Sequence, residues 1–376
     1  MFESTIADLE HCRPTHLQVS CQNVCDNYLA LKAHADGRQV MAILKANAYG
    51  HGVIEVAHAL EAVHADYFGV AYVEEGRMLR RAGIQTPILV LGGIIGDQIP
   101  IFLQENLDIT ASSIDKLRAI DACALELGIR ARVHLKIDTG MERIGVHGYN
   151  ADQLLNESVR CQNTDIVGIF SHFATADHAD EDFAKTQLER FQSVLNWYTE
   201  QGLERPIAHM ANSAAMLKFP ESLFDMVRPG IALYGAPPVK TSLALKPAVR
   251  WVSRIVYFKV VEKGRSVSYG ATWIAPEQTR IVTIPVGYGD GYMRSCSNRS
   301  HVLIRGKRYP VVGRVCMDQL MVNIGWDEAF NGEEVVLLGA QGDEFIGVDE
   351  LADWSQTISY EVLTAINTRV SRVYDS

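Results

Sequence analysis

The 376-residue sequence has no apolar run long enough to cross a bilayer: its most apolar stretch, PILVLGGII at 87–95, falls far short of the roughly 20 residues a spanning helix needs. Nor does its start, MFESTIADLEHCRPT, hold the apolar segment of a secretory leader, so a cytoplasmic protein without membrane partners is expected. The seven cysteines include no CxxC pair, and the closest group, Cys12, Cys21 and Cys25, lacks the paired spacing of a zinc site. Reduced thiols and no metal centre are expected. Clusters of Lys and Arg are also missing. With 35 basic against 45 acidic side chains the net charge is −10, and nucleic acid is not an expected partner, because a phosphate-binding face needs grouped cations. The isolated KGR at 263–265 and RGKR at 305–308 fit turns between strands. There is no internal repeat and no low-complexity segment.

What is present suits a folded protein of one large and one smaller domain: 48% hydrophobic and 21% charged residues over this length. Through the first two-thirds, short apolar runs alternate with helix-like segments. The runs are QVMAIL (39–44), YFGVAY (67–72), PILVLG (87–92), LDIT (107–110), RVHLKI (132–137), DIVGIF (165–170), PIAHMA (206–211) and MVRPGIALYG (226–235). Between them, 51–63 and 184–201 place apolar residues at helical spacing, the latter ending before Gly202. Eight such strands predict a parallel sheet and match the count that closes a (β/α)8 barrel, although the count alone also admits an open doubly wound sheet. After about Ala236 the runs SRIVYFKVV, TRIVTIPVG, SHVLIRG, RYPVVG, QLMVNIG and EEVVLLG follow one another without helical spacers, as in a compact β domain. The tail, VDELADWSQ and then YEVLTAIN, is helix-like. The expected architecture is α/β: a (β/α)8 barrel over 1–240, then a mainly β domain over 241–376.

Active sites of such barrels gather at the C-terminal ends of the strands. Those positions hold Lys45, then Asp138-Thr139-Gly140 leading to Arg143, then His172, Asn212-Ser213 and Arg228-Pro229-Gly230. Lys45 follows an apolar strand, where desolvation would lower its pKa toward that of a Schiff-base lysine; the bland alternative is a solvated strand end. Ser213 and Gly230 fit a phosphate cradle or ordinary turn chemistry. Arg228 could face an acceptor that must stay unprotonated, or simply pair with Asp225. Lys136, inward on one strand with His134 and Asp138, needs a negative partner, and a plain Lys–Asp pair would serve.

At these residues the sequence resembles the alanine racemase family almost end to end. LKANAYGHG (44–52), KIDTGMERIGV (136–146), SHFATAD (171–177), ANSAA (211–215) and VRPGIALYG (227–235) look like its barrel motifs. SVSYGATW (266–273), VGYGDGY (286–292), GRVCMDQ (313–319) and ISYEVL (358–363) look like those of its second domain. The resemblance implies pyridoxal phosphate (PLP) as cofactor, alanine as substrate, and a homodimer with shared active sites. The D-alanine made would serve cell-wall peptidoglycan, or the enzyme would serve alanine catabolism. By the same resemblance Lys45 carries the cofactor and acts as base on one face, while Tyr269 from the partner chain acts on the other. Arg143, with the Met317 backbone assisting, would hold the cofactor phenolate and the substrate carboxylate, and Arg228 would face the pyridine nitrogen with His172 linking it to Tyr269. Tyr49, Ser213, Gly230, Ile231 and Tyr360 would hold the phosphate, with Asn212 beside them. Lys136 would be carbamylated, giving Arg143 a negative partner. Tyr288 and Tyr360 would narrow the entrance, and Asp318 would support the Met317 motif. Glu142 stands where the family often has glycine, an exposed variation.

Four rival readings remain beside this one. A related PLP decarboxylase would place Glu, not Arg228, against the ring nitrogen. A non-catalytic PLP-binding barrel would lack the residues beyond Ala236. A nucleotide-binding oxidoreductase is suggested only by Gly287, Gly289 and Gly291, which lack GxGxxG spacing. A broad-specificity or serine racemase differs only in substrate.

Overall fold

The computed structural model describes residues 13–375; Cys12 and most of the amino-terminal segment discussed above lie outside the described residues. Two compact units result, one spanning Val24–Ala48 and Val53–Leu245, the other made of residues 13–23, Tyr49–Gly52 and residues 246–375.

The first unit is a closed barrel. Strands Gln39–Ile43, Tyr67–Val70, Ile88–Val90, Asp108–Ala111, Ala131–Asp138, Thr164–Phe170, Ile207–His209 and Met226–Val227 pair in parallel, each with the next. Met226–Val227 then pairs back to Gln39–Ile43, which removes the open-sheet alternative. Strands covered on both faces read as continuous apolar runs, which is why YFGV and ILV are buried throughout. The helix Val53–Ala62 buries Val53, Val56, Ala57 and Leu60, one stripe at helical spacing. The helix Asp182–Glu200 ends ahead of Gly202, whose φ of +65° suits the left-handed residue that closes a helix.

The eighth run needs correction. MVRPGIALYG is a strand only at Met226–Val227; Pro229 has no N–H to continue a ladder, and Ile231–Tyr234 forms a 3-10 turn closed by Gly235 at φ +79°.

The second unit is mainly β. One sheet runs in the order Lys307–Pro310, His301–Ile304, Glu334–Gln341, Val249–Arg254, His16–Val19, Ser371–Tyr374, and a three-stranded sheet joins Tyr257–Val261, Thr279–Ile284 and Leu320–Gly325. The run SRIVYFKVV is thus two strands in two sheets. The KGR and RGKR segments lie at turns, with Gly264 at φ +81° and Gly306 at φ +71°. The helical tail is Val348–Ser355 and Ser359–Ala365. This β unit is discontinuous in sequence. His16–Val19 pairs with Val249–Arg254 and Ser371–Tyr374, and Tyr49–Gly52 also belongs to this unit. Four-residue strands such as HLQV carry too few positions to show a period, and their partners lie hundreds of residues away.

Inside the barrel the strand Ala131–Asp138 shifts register against Thr164–Phe170 at Val133/His134, placing the His134 ring over Gly168. A Cβ on Gly168 would lie 2.0 Å from His134 Nδ1. Gly168→Ala should therefore cost about 1–3 kcal/mol, as overpacking a filled core does. Gly93→Ala, with nothing within 4 Å of the added carbon, should stay within about 0.5 kcal/mol of wild type. Urea unfolding of both variants checks this, and equal midpoints would contradict it.

Candidate active site

The first barrel strand delivers Lys45 to the C-terminal rim. Leu44 N–H still donates to the Gly69 carbonyl at 2.8 Å, and the chain then leaves the sheet. It leaves in an unusual way: Ala46, Asn47, Ala48 and Tyr49 have φ between 52° and 56°, a left-handed turn built without glycine. Each such residue costs about 1–2 kcal/mol, so the surroundings must hold it. The Glu75 carboxylate accepts N–H bonds from Ala46 (2.6 Å), Ala71 (2.7 Å) and Tyr72 (3.2 Å), which ties the turn to the end of the neighbouring strand. Asn47 Oδ1 accepts the Val53 N–H at 2.9 Å. Sequence reasoning missed Glu75, although an acid three residues after Tyr72 is a helix-start signal.

Basic side chains crowd this rim. Burial, then Arg143, then Arg228 push the half-buried Lys45 amine below its ordinary value, with Glu75 opposing them. Lys136 is buried and held well below the usual lysine range by burial, Arg228 and Arg143. Its Nζ sits 4.7 Å from the centroid of the Phe170 ring, and the Arg228 guanidinium lies over the same ring at 5.3 Å. No Lys136–Asp138 pair forms at salt-bridge distance. The Asp138 carboxylate instead accepts the N–H groups of Gly140 (2.7 Å), Met141 (2.9 Å) and Arg143 (3.2 Å), folding the loop that carries Arg143. Glu142 in that loop is exposed, as expected, and has φ +53°; this explains why glycine suits the position.

Arg228 does not pair with Asp225, which is bound by Arg205. Its guanidinium is buried and donates to His209 Nδ1 (2.9 Å), His172 Nδ1 (3.2 Å) and the carbonyls of Ser171 (2.8 Å) and Met210 (3.2 Å). Burial and the Arg143 charge push it down to about 9, so it stays a cation at neutral pH. Because guanidinium only donates, the Nδ1 of His172 must carry a lone pair and its Nε2 the proton. Burial and the cations around it hold His172 well below the ordinary histidine value.

Beside Arg228, Ser213 Oγ accepts the N–H of Gly230 (2.8 Å) and of Ala232 (3.3 Å), so its hydroxyl proton is left to donate outward. Asn212 caps the following turn, accepting Ala215 N–H at 3.0 Å, and Ile231 is buried behind it. The remaining expected residues belong to the second unit. Tyr49 and Tyr360 meet with ring centroids 6.1 Å apart. Tyr269 is 70% exposed and its hydroxyl makes no hydrogen bond within the described chain. It follows Ser268, which is held at φ +65° with its hydroxyl on the Arg314 carbonyl at 2.6 Å. Tyr288 and Met317 are interlocked: Tyr288 N–H donates to the Cys316 carbonyl (3.0 Å) and Gly289 N–H to that of Met317 (2.8 Å). The Met317 N–H stays free of partners within the described chain, and Asp318 pairs with Arg369 at 2.8 Å.

The same division appears in comparisons with known proteins. Residues 19–238 match the family described as alanine racemase, N-terminal domain, and residues 248–374 that described as alanine racemase, C-terminal domain. An alanine racemase of Symbiobacterium thermophilum is 44% identical over 98% of each chain, and alanine racemase 2 of Bacillus subtilis is 42% identical over 96% of this chain and 95% of its own. Among solved structures, alanine racemase from Streptomyces lavendulae superposes with a TM-score of 0.93 at 34% identity, covering 98% of each chain. The Bacillus anthracis alanine racemase with bound L-Ala-P gives 0.90 at 33% identity, over 97% of this chain and 95% of that one. The likeness spans both units at identities well above those at which only a fold is shared, and the chain belongs to the alanine racemase family of isomerases.

Proposed function

We propose that this enzyme interconverts L- and D-alanine in the cytoplasm, with PLP held on Lys45 and with Lys45 and Tyr269 of the partner subunit serving opposite faces of the substrate. The observation that carries the proposal is Lys45 at the barrel rim, its amine depressed by burial and by Arg143 and Arg228. A depressed amine is neutral, and hence nucleophilic and able to take a proton, in a larger fraction at neutral pH than an ordinary lysine. Cys123, Cys161, Cys296 and Cys316 form no disulfide among the described residues, which suits a reducing compartment.

PLP is the cofactor the family implies, and the residues present fit it. The Ser213 hydroxyl with Gly230 and Ile231, together with Tyr49 and Tyr360, would hold the phosphate, and Asn212 would fix the turn that presents Ser213. Arg228 would meet the ring nitrogen as a donor only, leaving that nitrogen unprotonated. When bound, PLP supplies an aldehyde for the substrate amine and an electron-withdrawing ring that acidifies Cα–H. Arg143, which makes no ion pair within the described chain, would take the substrate carboxylate together with the Met317 N–H. Tyr288 and Tyr360 would narrow the entrance to favour the alanine methyl group over serine or larger side chains.

Racemisation removes a proton from one face of Cα and delivers one to the other, so a single tethered lysine does not suffice. Tyr269 fits the second role because its hydroxyl is exposed and unengaged. It borders a groove of about 590 Å3 lined also by Tyr257, Ser268, Cys316 and Met321. Val256, Tyr257, Phe258, Val260 and Ile274 of the same unit are exposed as well. An apolar surface of this kind marks an interaction site, and two-fold pairing of copies would cover it while handing each Tyr269 to the other chain.

Lys136 fits carbamylation. Its amine is buried, depressed and near two arginines, with no carboxylate within salt-bridge distance among the described residues. Addition of CO2 forms an N–C bond, releases one proton to solvent and leaves one negative charge between Arg143 and Arg228.

Three outcomes are expected. Borohydride reduction of the holoenzyme followed by peptide mapping should place the pyridoxyl group on Lys45; a label on another lysine contradicts the proposal. Incubated with L-alanine, L-serine and L-lysine, the protein should form D-alanine fastest, and Tyr360→Asn should shift the kcat/KM ratio toward serine by roughly tenfold, about 1.4 kcal/mol. A wild-type preference for serine would refute the substrate assignment. In protein equilibrated with 13C-bicarbonate, a carbamate carbon resonance should appear and be missing from Lys136→Arg, since guanidinium is not nucleophilic at neutral pH.

A further inference from the structure

Two histidines that the proposed reaction does not use, His134 and His209, lie buried in the barrel interior between Arg228 and an acid at its opposite end. Arg228 donates to His209 Nδ1 at 2.9 Å, and His209 Nε2 lies 2.9 Å from His134 Nδ1. His134 Nε2 then faces the Asp108 carboxylate at 3.4 Å and the Tyr67 hydroxyl at 3.2 Å. Asp108 begins its strand and so sits at the N-terminal end of the barrel, where Arg132 donates to it at 2.8 Å. A continuous chain of hydrogen bonds therefore runs from one end of the barrel to the active-site rim.

Its two ends admit one arrangement of protons. The guanidinium only donates, so His209 Nδ1 holds a lone pair and His209 Nε2 the proton. At the other end the carboxylate only accepts. Tyr67 donates its single proton to Asp108 while accepting from Arg132 at 3.2 Å, so toward His134 it too can only accept. His134 Nε2 must then carry a proton, and His134 Nδ1 accepts the one offered by His209. A second proton on either ring would set two donors against each other, and so both rings are neutral. Burial and Arg228 hold His209 well below the ordinary histidine value, in agreement.

We infer that Asp108 is a positioning residue: through His134 and His209 it fixes both imidazole tautomers, so that a lone pair always meets Arg228 and orients its guanidinium at the rim. That Arg228 then meets the cofactor ring rests on the function proposed above; the tautomer assignment does not. No carboxylate lies within salt-bridge distance of Arg228 among the described residues, so its nearest anionic support along this chain is Asp108.

The test is 15N NMR of holoenzyme labelled at histidine, with the two rings assigned by His134→Gln and His209→Gln spectra. Wild type should show both rings as neutral Nε2–H tautomers at neutral pH, which requires no variant beyond assignment; a proton on Nδ1 of either ring overturns the inference. Asp108→Asn keeps the shape but adds donors, and should shift one or both rings toward the Nδ1–H or mixed state. It should also lower kcat for alanine about tenfold with KM changed less than twofold. A purely structural Asp108 would instead lower the melting temperature and leave both tautomers as in wild type, and that result would also overturn the inference. Correct tautomers in a protein that does not racemise alanine would refute the proposed function alone.

Discussion

A guanidinium buried inside a barrel, with no carboxylate beside it among the described residues, is the constraint from which the site is built. Every N–H of Arg228 that points inward needs an acceptor, and the barrel supplies imidazole nitrogens and backbone carbonyls from two strand ends. Because those acceptors are neutral, the charge stays and acts on its neighbours. Together with Arg143 it depresses Lys136 and Lys45, and it helps keep His172 and His209 uncharged. An acid placed against Arg228 would cancel the effect. It would also change what an aromatic nitrogen meets there, from an obligate donor to a group that favours protonation. The absence of a carboxylate at this position is thus a chemical choice, and the rim carboxylates Glu75 and Asp138 serve mainly to hold backbone.

In the proposed two-base reaction the other half falls to a different part of the chain. In the proposed reaction the barrel would place a nucleophilic amine, a donor for the ring and a cradle for phosphate on strand ends, where rigid pairing fixes them. Tyr269 comes from a short turn in the β unit, held by Ser268 and the left-handed residues around it. In the proposed dimer the two units have separate tasks: one chain's barrel presents Lys45 and the partner's β unit presents the opposing base. Each apolar β face then acts both as interface and as the means of bringing Tyr269 into position.

The barrel strands were legible because fully covered parallel strands are short continuous apolar runs, and eight of them fell in order. The rim residues were legible as polar side chains ending those runs, and their roles came from motif resemblance. Other features were hidden for physical reasons. Nothing in Lys-Ala-Asn-Ala-Tyr announces four left-handed residues, since alanine ordinarily avoids that region and contacts from elsewhere, those of Glu75 among them, hold it there. Asp108, His134 and His209 sit within apolar strands, but their partnership needs four strands closed around one axis. The strand His16–Val19 lies outside the apolar runs of the sequence, and it is its partners, more than two hundred residues away, that make it a strand. Lys136 could be seen to need a negative partner, whereas the engagement of Asp138 by three backbone N–H groups could not.

Complementation between chains tests the shared-site claim most directly. Lys45→Ala and Tyr269→Ala should each be nearly inactive. In a mixed dimer one site inherits both defects and the other neither. Random reassortment makes half the dimers mixed, so activity should recover to about a quarter of wild type. Tagging one variant and co-purifying the other establishes that subunits have exchanged. Recovery in such exchanged material is the predicted result; exchanged dimers with no more activity than either variant alone would show that Lys45 and Tyr269 do not act across chains.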